Sequence, residues 1–222
     1  MKLIVITKED FFPEEANRIN TMMDEYEFIL HIRKPFASLY ETDNLLHRID
    51  KAFRERIVLH DHYSLARKYR LMGIHLNARN TRQGSGQGYR EHYNISRSCH
   101  SIQEVAEIKE RYNYVTLSPI FNSISKQGYG AAFTEEELRS AVEQGIIDEK
   151  VIALGGIDSS NIGDVAGLGF GGAAVLGTIW NRTGADDAME ELRKLIEAAG
   201  KPTVGPHCST PRMKQRGDKT LF

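Results

Sequence analysis

The sequence predicts an α/β fold in which eight parallel strands, each followed by a helix, close into a single (β/α)8 TIM barrel. Short apolar runs alternate with amphipathic stretches at intervals of about 25 residues, which is the pattern of repeated βα units. One barrel of ordinary size would use nearly all of the 222 residues. No dinucleotide-binding fingerprint follows the first strand, and polar residues follow nearly every strand. We therefore favour the closed barrel over an open doubly wound sheet.

The predicted strands are short apolar runs that end at turn or helix signals. They are Lys2–Thr7, Phe28–Ile32, Ile57–His60, Met72–Leu76, Tyr93–Arg97, Tyr114–Leu117, Val151–Leu154 and Ala173–Leu176. The strands and their helices assign residues 1–200 to one barrel domain. Residues 201–222 contain prolines and charges without a periodic apolar pattern, and they are predicted to form a flexible C-terminal tail.

Helix starts are indicated by capping residues and by acidic first turns. The predicted starts are Pro13 with Glu14 and Glu15, Thr42 or Asp43, Tyr63, Ser101, Thr134 in the sequence TEEE, and Asp186. Two segments are predicted to be loops, the glycine-rich Thr81–Tyr89 and the long Ser118–Phe133. Loops of the second length inside a compact domain tend to be functional.

Composition favours a small-molecule partner. The formal net charge is −1, so there is no basic surplus with which to bind a nucleic-acid backbone or an anionic membrane. No apolar run approaches the roughly 20 residues that span a bilayer. Cys99 and Cys208 are the only cysteines, and they give neither a disulfide framework nor zinc spacing. We expect a cytoplasmic enzyme that binds neither nucleic acid nor membrane, and the sequence leaves open whether it forms a homo-oligomer.

Two consecutive predicted strands end in small residues that could bind an anion. Gly155 and Gly156 follow one strand, and Gly177 and Thr178 follow the next. Glycines allow a close approach to backbone N–H groups, and the start of a helix favours negative charge. In many (β/α)8 barrels the last two strands hold a phosphate in this way. The alternative is that these are ordinary turn and packing glycines.

Four of the eight histidines fall at or just beyond the C-terminal end of a predicted strand. They are His31, His60, His75 and His100. Other polar residues on the same face are Arg33, Lys34, Asp61, Asn77, Ser98 and Lys126. In a closed barrel these strand ends converge on one mouth, where such residues bind or react with substrate. The alternative for any single residue is a solvated loop position or a supporting hydrogen bond.

A metal site built from these histidines is disfavoured by their spacing. They lie on separate strands, no pair has the short spacing of zinc ligands, and the nearest acid is Asp61. A magnesium site would need more carboxylate oxygen than the mouth supplies.

Seven motifs, in order along the chain, resemble the thiamine phosphate synthase and TenI superfamily. They are HIRKP (His31–Pro35), HD (His60–Asp61), GIHL (Gly73–Leu76), SCHS (Ser98–Ser101), SPIFNSISK (Ser118–Lys126), ALGGI (Ala153–Ile157) and AAVLGTI (Ala173–Ile179). The resemblance covers about residues 1–182. It implies a (β/α)8 barrel of thiamin biosynthesis that binds a thiazole phosphate, and it places the phosphate on Gly155, Gly156, Gly177 and Thr178.

The synthase branch of this superfamily joins a pyrimidine diphosphate to the thiazole phosphate, and it uses Mg²⁺ on two aspartates. The positions that keep the synthase pattern are Arg33, Asp61, Ser123, Ser125 and Lys126. The positions that depart from it are His31, Pro35, His60 and Asn80. Asn80 stands where the second aspartate is expected, which should weaken Mg²⁺ binding, although substrate phosphates could still recruit the ion.

The TenI branch resembles thiazole tautomerase, which aromatises a thiazole phosphate carboxylate by a proton shift and needs no metal. The motif SCHS resembles the serine-x-histidine-serine motif of that branch. The resemblance implies that His100 is the general base, with Ser98 and His31 as orienting partners. Histidine suits this role because its side chain titrates near neutral pH. The alternative for His100 is a hydrogen bond to a neighbouring loop.

Three functions are weighed on this basis. We favour a thiazole tautomerase without a cofactor. The runner-up is a Mg²⁺-dependent thiamine phosphate synthase, in which Asp61 would hold the metal and hydroxymethylpyrimidine diphosphate would be the second substrate. The third is a non-catalytic thiazole phosphate binder. The residues assigned to substrate or phosphate binding are Arg33, Lys34, His60, His75, Asn77, Ser123, Ser125, Lys126, Gly155, Gly156, Gly177 and Thr178.

Overall fold

Eight parallel strands form one closed barrel in the computed structural model, which describes residues 1–77, 80, 88–122, 132–181 and 184–200. The strands are β1 (Lys2–Ile6), β2 (Ile29–Ile32), β3 (Ile57–Leu59), β4 (Gly73–Leu76), β5 (Asn94–Cys99), β6 (Tyr114–Leu117), β7 (Val151–Leu154) and β8 (Gly172–Val175). Each pairs with the next along the chain, and β8 closes the ring on β1 through pairs such as Val5 with Val175. The predicted fold class is confirmed.

Helices lie between the strands, as the βα pattern predicts. They are α1 (Glu15–Glu25), α2 (Leu39–Arg48), α3 (Ser64–Tyr69), α4 (Ile102–Ile108), α5 (Glu135–Glu143), α6 (Ile162–Gly167), α7 (Gly177–Trp180) and α8 (Ala185–Ala198), with short 3-10 turns at Lys51–Arg56 and Lys109–Arg111. The predicted tail 201–222 and parts of the two predicted loops lie outside the described residues.

The start of α2 corrects one prediction. Ser38, not Thr42 or Asp43, caps this helix, because its side chain accepts from the Glu41 N–H at 3.2 Å. The Glu41 carboxylate in turn accepts from the Ser38 N–H at 2.8 Å, which completes a capping box. Thr42 is buried inside the helix, and its hydroxyl donates to the Ser38 carbonyl. The predicted caps at Ser101 and Thr134 are confirmed.

The barrel interior has an apolar side and a polar side. Along β1 the side chains alternate, so that Leu3 and Val5 pack towards the helices while Ile4 and Ile6 fill the interior. The interior apolar group also includes residues of β6, β7 and β8, namely Tyr114, Ile152 and Ala174. The buried polar residues of β2 to β6 are His31, His75, Ser96 and Thr116, with His60 directly after β3. This polar side forms the inner part of the candidate site, below the mouth of the barrel.

Candidate functional site

Three histidines from neighbouring segments of the barrel wall form the centre of the candidate site. His31 lies on β2, His60 follows β3, and His75 lies on β4, with exposed fractions of 0%, 4% and 2%. The rings of His60 and His75 are stacked with centroids 4.3 Å apart. The His31 ring lies 5.1 Å from the His60 ring and 5.3 Å from the His75 ring. The closed barrel has therefore brought together three of the four predicted histidines.

A short hydrogen-bonded chain runs through His31. Its Nδ1 lies 2.9 Å from Nε2 of His60, and its Nε2 lies 2.6 Å from the hydroxyl of Tyr114. Tyr114 enters the interior from β6, on the far side of the barrel from β2. These hydrogen bonds connect opposite sides of the barrel. Because both ring nitrogens of His31 are used in them, His31 is a supporting residue below the mouth.

His75 is held between two serines of β5. Its Nδ1 lies 2.8 Å from Oγ of Ser96, and its Nε2 lies 2.8 Å from Oγ of Ser98. The Ser96 hydroxyl also lies 3.5 Å from the Ile74 carbonyl, to which it can donate. In that arrangement Ser96 accepts from Nδ1–H of His75, so Nε2 accepts from the Ser98 hydroxyl. Ser98 is half-buried and therefore links the interior cluster to the mouth.

Burial keeps His31 and His75 neutral. It lowers the pKa of His31 well below the usual value, with a further decrease from the nearby His75. Burial also lowers the pKa of His75 to about 3, with a smaller effect from the Arg33 guanidinium. The same desolvation raises the pKa of the Tyr114 phenol, so it keeps its proton. At neutral pH these two histidines offer hydrogen bonds and nitrogen lone pairs but no positive charge for a phosphate.

His100 occupies a different environment from the other three histidines. It is exposed and follows directly after β5, and its backbone N–H donates to the Glu104 carboxylate at 3.0 Å. Its Nδ1 lies 3.4 Å from both the carbonyl oxygen and the hydroxyl of Ser118, which follows β6. The four predicted histidines therefore lie in two environments. Three form a buried cluster, and one stands in solvent at the mouth.

Two basic residues assigned to substrate binding are engaged within the protein. The Arg33 guanidinium pairs with the Glu9 carboxylate. The Lys34 side chain is 1% exposed, and its Nζ lies 2.8 and 2.9 Å from the two carboxylate oxygens of Glu15. The Asp10 carbonyl accepts a third hydrogen bond from Nζ at 2.9 Å. This geometry corrects the assignment of Lys34, which fixes the start of α1 against the end of β2.

Among the described residues of the mouth, a two-aspartate magnesium site is not formed. Asp61 is half-buried. Asn80, at the position where a second carboxylate is expected, has both ends of its amide in use: Oδ1 accepts from the Asn77 N–H at 2.8 Å and Nδ2 donates to the His60 carbonyl at 3.0 Å. Asn77 and Asn80 thus brace the end of β4 against the segment after β3. Asn77 and Asn80 therefore hold two segments of the mouth together, and they do not offer the carboxylate or phosphate oxygens that Mg²⁺ prefers.

The two glycine-containing turns lie side by side, since β7 and β8 are paired through Leu154 and Ala174. Gly155 and Gly156 have φ values of +102° and +67°, which strongly favour glycine. A Cβ on Gly156 would lie 2.4 Å from the carbonyl oxygen of Asn122. Thr178, in α7, donates its hydroxyl to the Ile157 carbonyl at 2.6 Å. Both glycines therefore have a packing reason of their own, and their role in binding phosphate remains a prediction.

Three predicted substrate ligands, Ser123, Ser125 and Lys126, lie outside the described residues. Conversely, three buried hydroxyl residues of the interior were missed by the sequence reasoning: Ser96, Tyr114 and Thr116. They lie at alternate positions of β5 and β6, in line with Ser98, so the period of two along these strands carried the signal.

The fold and the site define a (β/α)8-barrel protein with a polar mouth and a buried histidine cluster. None of its helices within the described residues is long and apolar enough to cross a membrane. Residues 3–179 match the family model TMP-TENI, described as Thiamine monophosphate synthase. The chain belongs to this family of enzymes, as its motifs indicated.

Relatives and solved structures agree with this membership. A thiamine-phosphate synthase of Actinobacillus succinogenes is 30% identical over 170 residues, which cover 71% of this chain and 74% of the relative. One from Limosilactobacillus fermentum is 30% identical over 104 residues, which cover 46% of each protein. The crystal structure of a thiamine phosphate pyrophosphorylase from Bacteroides thetaiotaomicron has a TM-score of 0.79 and 40% identity, and the match covers 90% of this chain and 98% of that one.

Proposed function

We propose that this protein is a thiazole tautomerase, an isomerase that shifts a proton on a thiazole phosphate carboxylate and so makes the ring aromatic. The observation that carries the proposal is the exposed imidazole of His100 at the mouth. The engaged amide of Asn80 supports it, because the position of the second metal carboxylate serves as a loop bracket instead. Membership of the family supports the class of substrate.

His100 acts as the general base in this proposal. In the tautomer that donates Nδ1–H to the Ser118 carbonyl, Nε2 carries the lone pair that takes the proton. The reaction moves one proton and no other atom. The base removes a proton from one carbon, the electron pair enters the ring as it becomes aromatic, and the protonated imidazole returns the proton at the other end of the conjugated system.

Ser98 is the proposed orienting group beside the base. It lies two residues before His100 along the chain, and its hydroxyl donates to the neutral His75. This hydrogen bond leaves the oxygen lone pairs of Ser98 available to a donor group of the substrate. His31 contributes less directly than the motif implied, because its two ring nitrogens bond to His60 and Tyr114 inside the barrel. The glycine-containing turns after β7 and β8 are the proposed phosphate site.

The test is aromatisation of the non-aromatic thiazole phosphate carboxylate, followed by absorbance with and without a chelator. We expect the purified protein to accelerate the reaction in both conditions. His100→Ala should lower turnover by about 10²- to 10⁴-fold with little change in substrate affinity, which is the usual contribution of a general base. His92→Ala is the matched control, since His92 is also exposed but precedes β5 at the opposite end of the barrel. Absence of acceleration over buffer would refute the proposal.

A thiamine phosphate synthase is the second candidate, and the names of its relatives favour it. This function predicts that the protein forms thiamine phosphate and pyrophosphate from hydroxymethylpyrimidine diphosphate and thiazole phosphate when Mg²⁺ is present. Asp61→Asn should then abolish product formation, whereas it should leave a tautomerase active. Saturating both substrates without detecting thiamine phosphate would exclude the synthase.

A further inference from the structure

We propose that His31, His60 and His75 bind one Zn²⁺ ion inside the barrel, a site distinct from the magnesium carboxylates of the synthase branch. One ring nitrogen from each of the three lies within 4.8 Å of the others. Histidines donate nitrogen to Zn²⁺ at about 2.0–2.1 Å, so tetrahedral ligands are about 3.3 Å apart. Nδ1 of His31 and Nε2 of His60 are already 2.9 Å apart. Small rotations of the buried rings would complete the set.

In His31 and His75 the second ring nitrogen is held in the way that ligating histidines require. A histidine that binds a metal through one nitrogen almost always hydrogen-bonds through the other, which fixes its ring. Tyr114 lies 2.6 Å from Nε2 of His31, which leaves Nδ1 for the ion. Ser96 lies 2.8 Å from Nδ1 of His75, which leaves Nε2 for the ion. These supporting hydroxyl groups are built into β5 and β6, so the rings are oriented before any metal arrives.

The donor set selects the kind of metal. Three imidazoles without a carboxylate suit Zn²⁺ and its transition-metal neighbours, whereas Mg²⁺ and Ca²⁺ prefer oxygen ligands. Three protein ligands leave a fourth position open, as in catalytic zinc sites. That position would face Ser98, which is half-buried below the mouth. Thr116 is the strand partner of Ser98, and its buried hydroxyl has no hydrogen-bond partner among the described residues. This hydroxyl could bond to a water molecule on the ion.

Short spacing along the sequence is typical of metal ligands that share one helix or loop. In a barrel, neighbouring parallel strands bring residues together irrespective of their separation along the chain. Leu59 and Ile74 are partners in the β3–β4 ladder, so the next residues, His60 and His75, lie side by side. His31 is the partner of Val58, which places it one inward position deeper. Pairing of strands therefore assembles the site.

Zn²⁺ on Nε2 of His75 would replace the hydrogen bond that this nitrogen accepts from Ser98, whereas the proposed base His100 lies beside Ser118. The zinc proposal does not depend on the proposed function, because binding is measured without substrate and in the absence of turnover.

The experiment titrates chelator-treated full-length protein with Zn²⁺ and, separately, with Co²⁺. We expect one tightly bound Zn²⁺ per chain by mass spectrometry of the dialysed protein, and visible absorption of tetrahedral Co²⁺. His60→Gln and His75→Gln should each lose the metal, while Tyr114→Phe should weaken Zn²⁺ binding by about 10- to 100-fold as the loss of a supporting partner. His92→Gln should bind as the wild type does. Circular dichroism checks that each variant is folded.

Two outcomes would overturn the proposal. The first is a folded wild-type protein that keeps well under one Zn²⁺ per chain after dialysis. The second is binding that persists unchanged in His60→Gln and His75→Gln, since that result would place the metal elsewhere.

Discussion

Replacing Lys34 with methionine is expected to destabilise the protein by about 3–5 kcal/mol, the usual cost of leaving one charge of a buried ion pair alone. The side chains of Lys34 and Glu15 are 1% and 3% exposed. The substitution removes both hydrogen bonds from Nζ to the carboxylate, and it leaves the Asp10 carbonyl without its donor. Burial already raises the pKa of the Glu15 carboxyl. The loss should therefore be smaller at acidic pH, where Glu15 can take up a proton.

Denaturant unfolding of a set of variants measures this free energy. Glu15→Gln should also destabilise strongly, whereas the double variant Lys34→Met with Glu15→Leu should be nearly as stable as the wild type, because no charge remains buried. Arg139→Met is the control, since Arg139 and Glu135 form an exposed pair on α5 and exposed pairs contribute little. A loss below about 1 kcal/mol for Lys34→Met would refute the reasoning. It would return Lys34 to the candidates for substrate binding.

Two further predictions concern the histidine cluster and the glycine turn. In chelator-treated protein, His75→Gln should flatten the fall in stability on acidification. His75 binds a proton near pH 6.5 in the unfolded chain but only near pH 3 in the folded protein. Between pH 6.5 and 5 the free energy of unfolding of the wild type should therefore fall by about 2 kcal/mol more than that of the variant. Equal pH slopes for the two proteins in denaturant unfolding would refute this. Gly156→Ala should destabilise more than Gly145→Ala. Both glycines have φ near +67°, a conformation that costs an alanine roughly 1–2 kcal/mol. Of the two, only Gly156 would bring the added methyl group against a backbone carbonyl. Equal losses of unfolding free energy in the two variants would contradict the packing role of Gly156.

The barrel could be predicted because its signals are local. Each strand is an apolar run with clear ends, and the number and spacing of the runs identify the topology. The start of α2 was missed although Ser38 and Glu41 form the S-x-x-E signature, because the first buried apolar positions of the helix lie further along, at Leu45 and Leu46. The capping residue precedes the helix, so the periodic pattern of apolar residues within the helix does not indicate where it lies.

The site was predictable in place but not in detail. The ends of strands indicated which polar residues would gather at the mouth, but burial depends on partners far away in sequence. In the sequence Lys34 resembles a surface lysine, and only the folded structure shows that it is buried and paired with Glu15. His75 and His100 resemble each other in sequence position, yet one lies within a strand facing the interior and the other lies beyond a strand end.

The polar and apolar sides of the barrel interior constrain how a substrate with one charged end could bind. The neutral His31 and His75 cannot attract a phosphate by charge, and Arg33 and Lys34 are paired with carboxylates. We therefore expect a phosphate to depend on backbone N–H groups, for which the turns after β7 and β8 are the proposed source. The reacting end would then extend across the mouth towards Ser98 on β5 and His100 just after it. In this arrangement phosphate binding and proton transfer belong to different strand ends, so substitutions after β7 and β8 should change affinity and those at the end of β5 should change turnover.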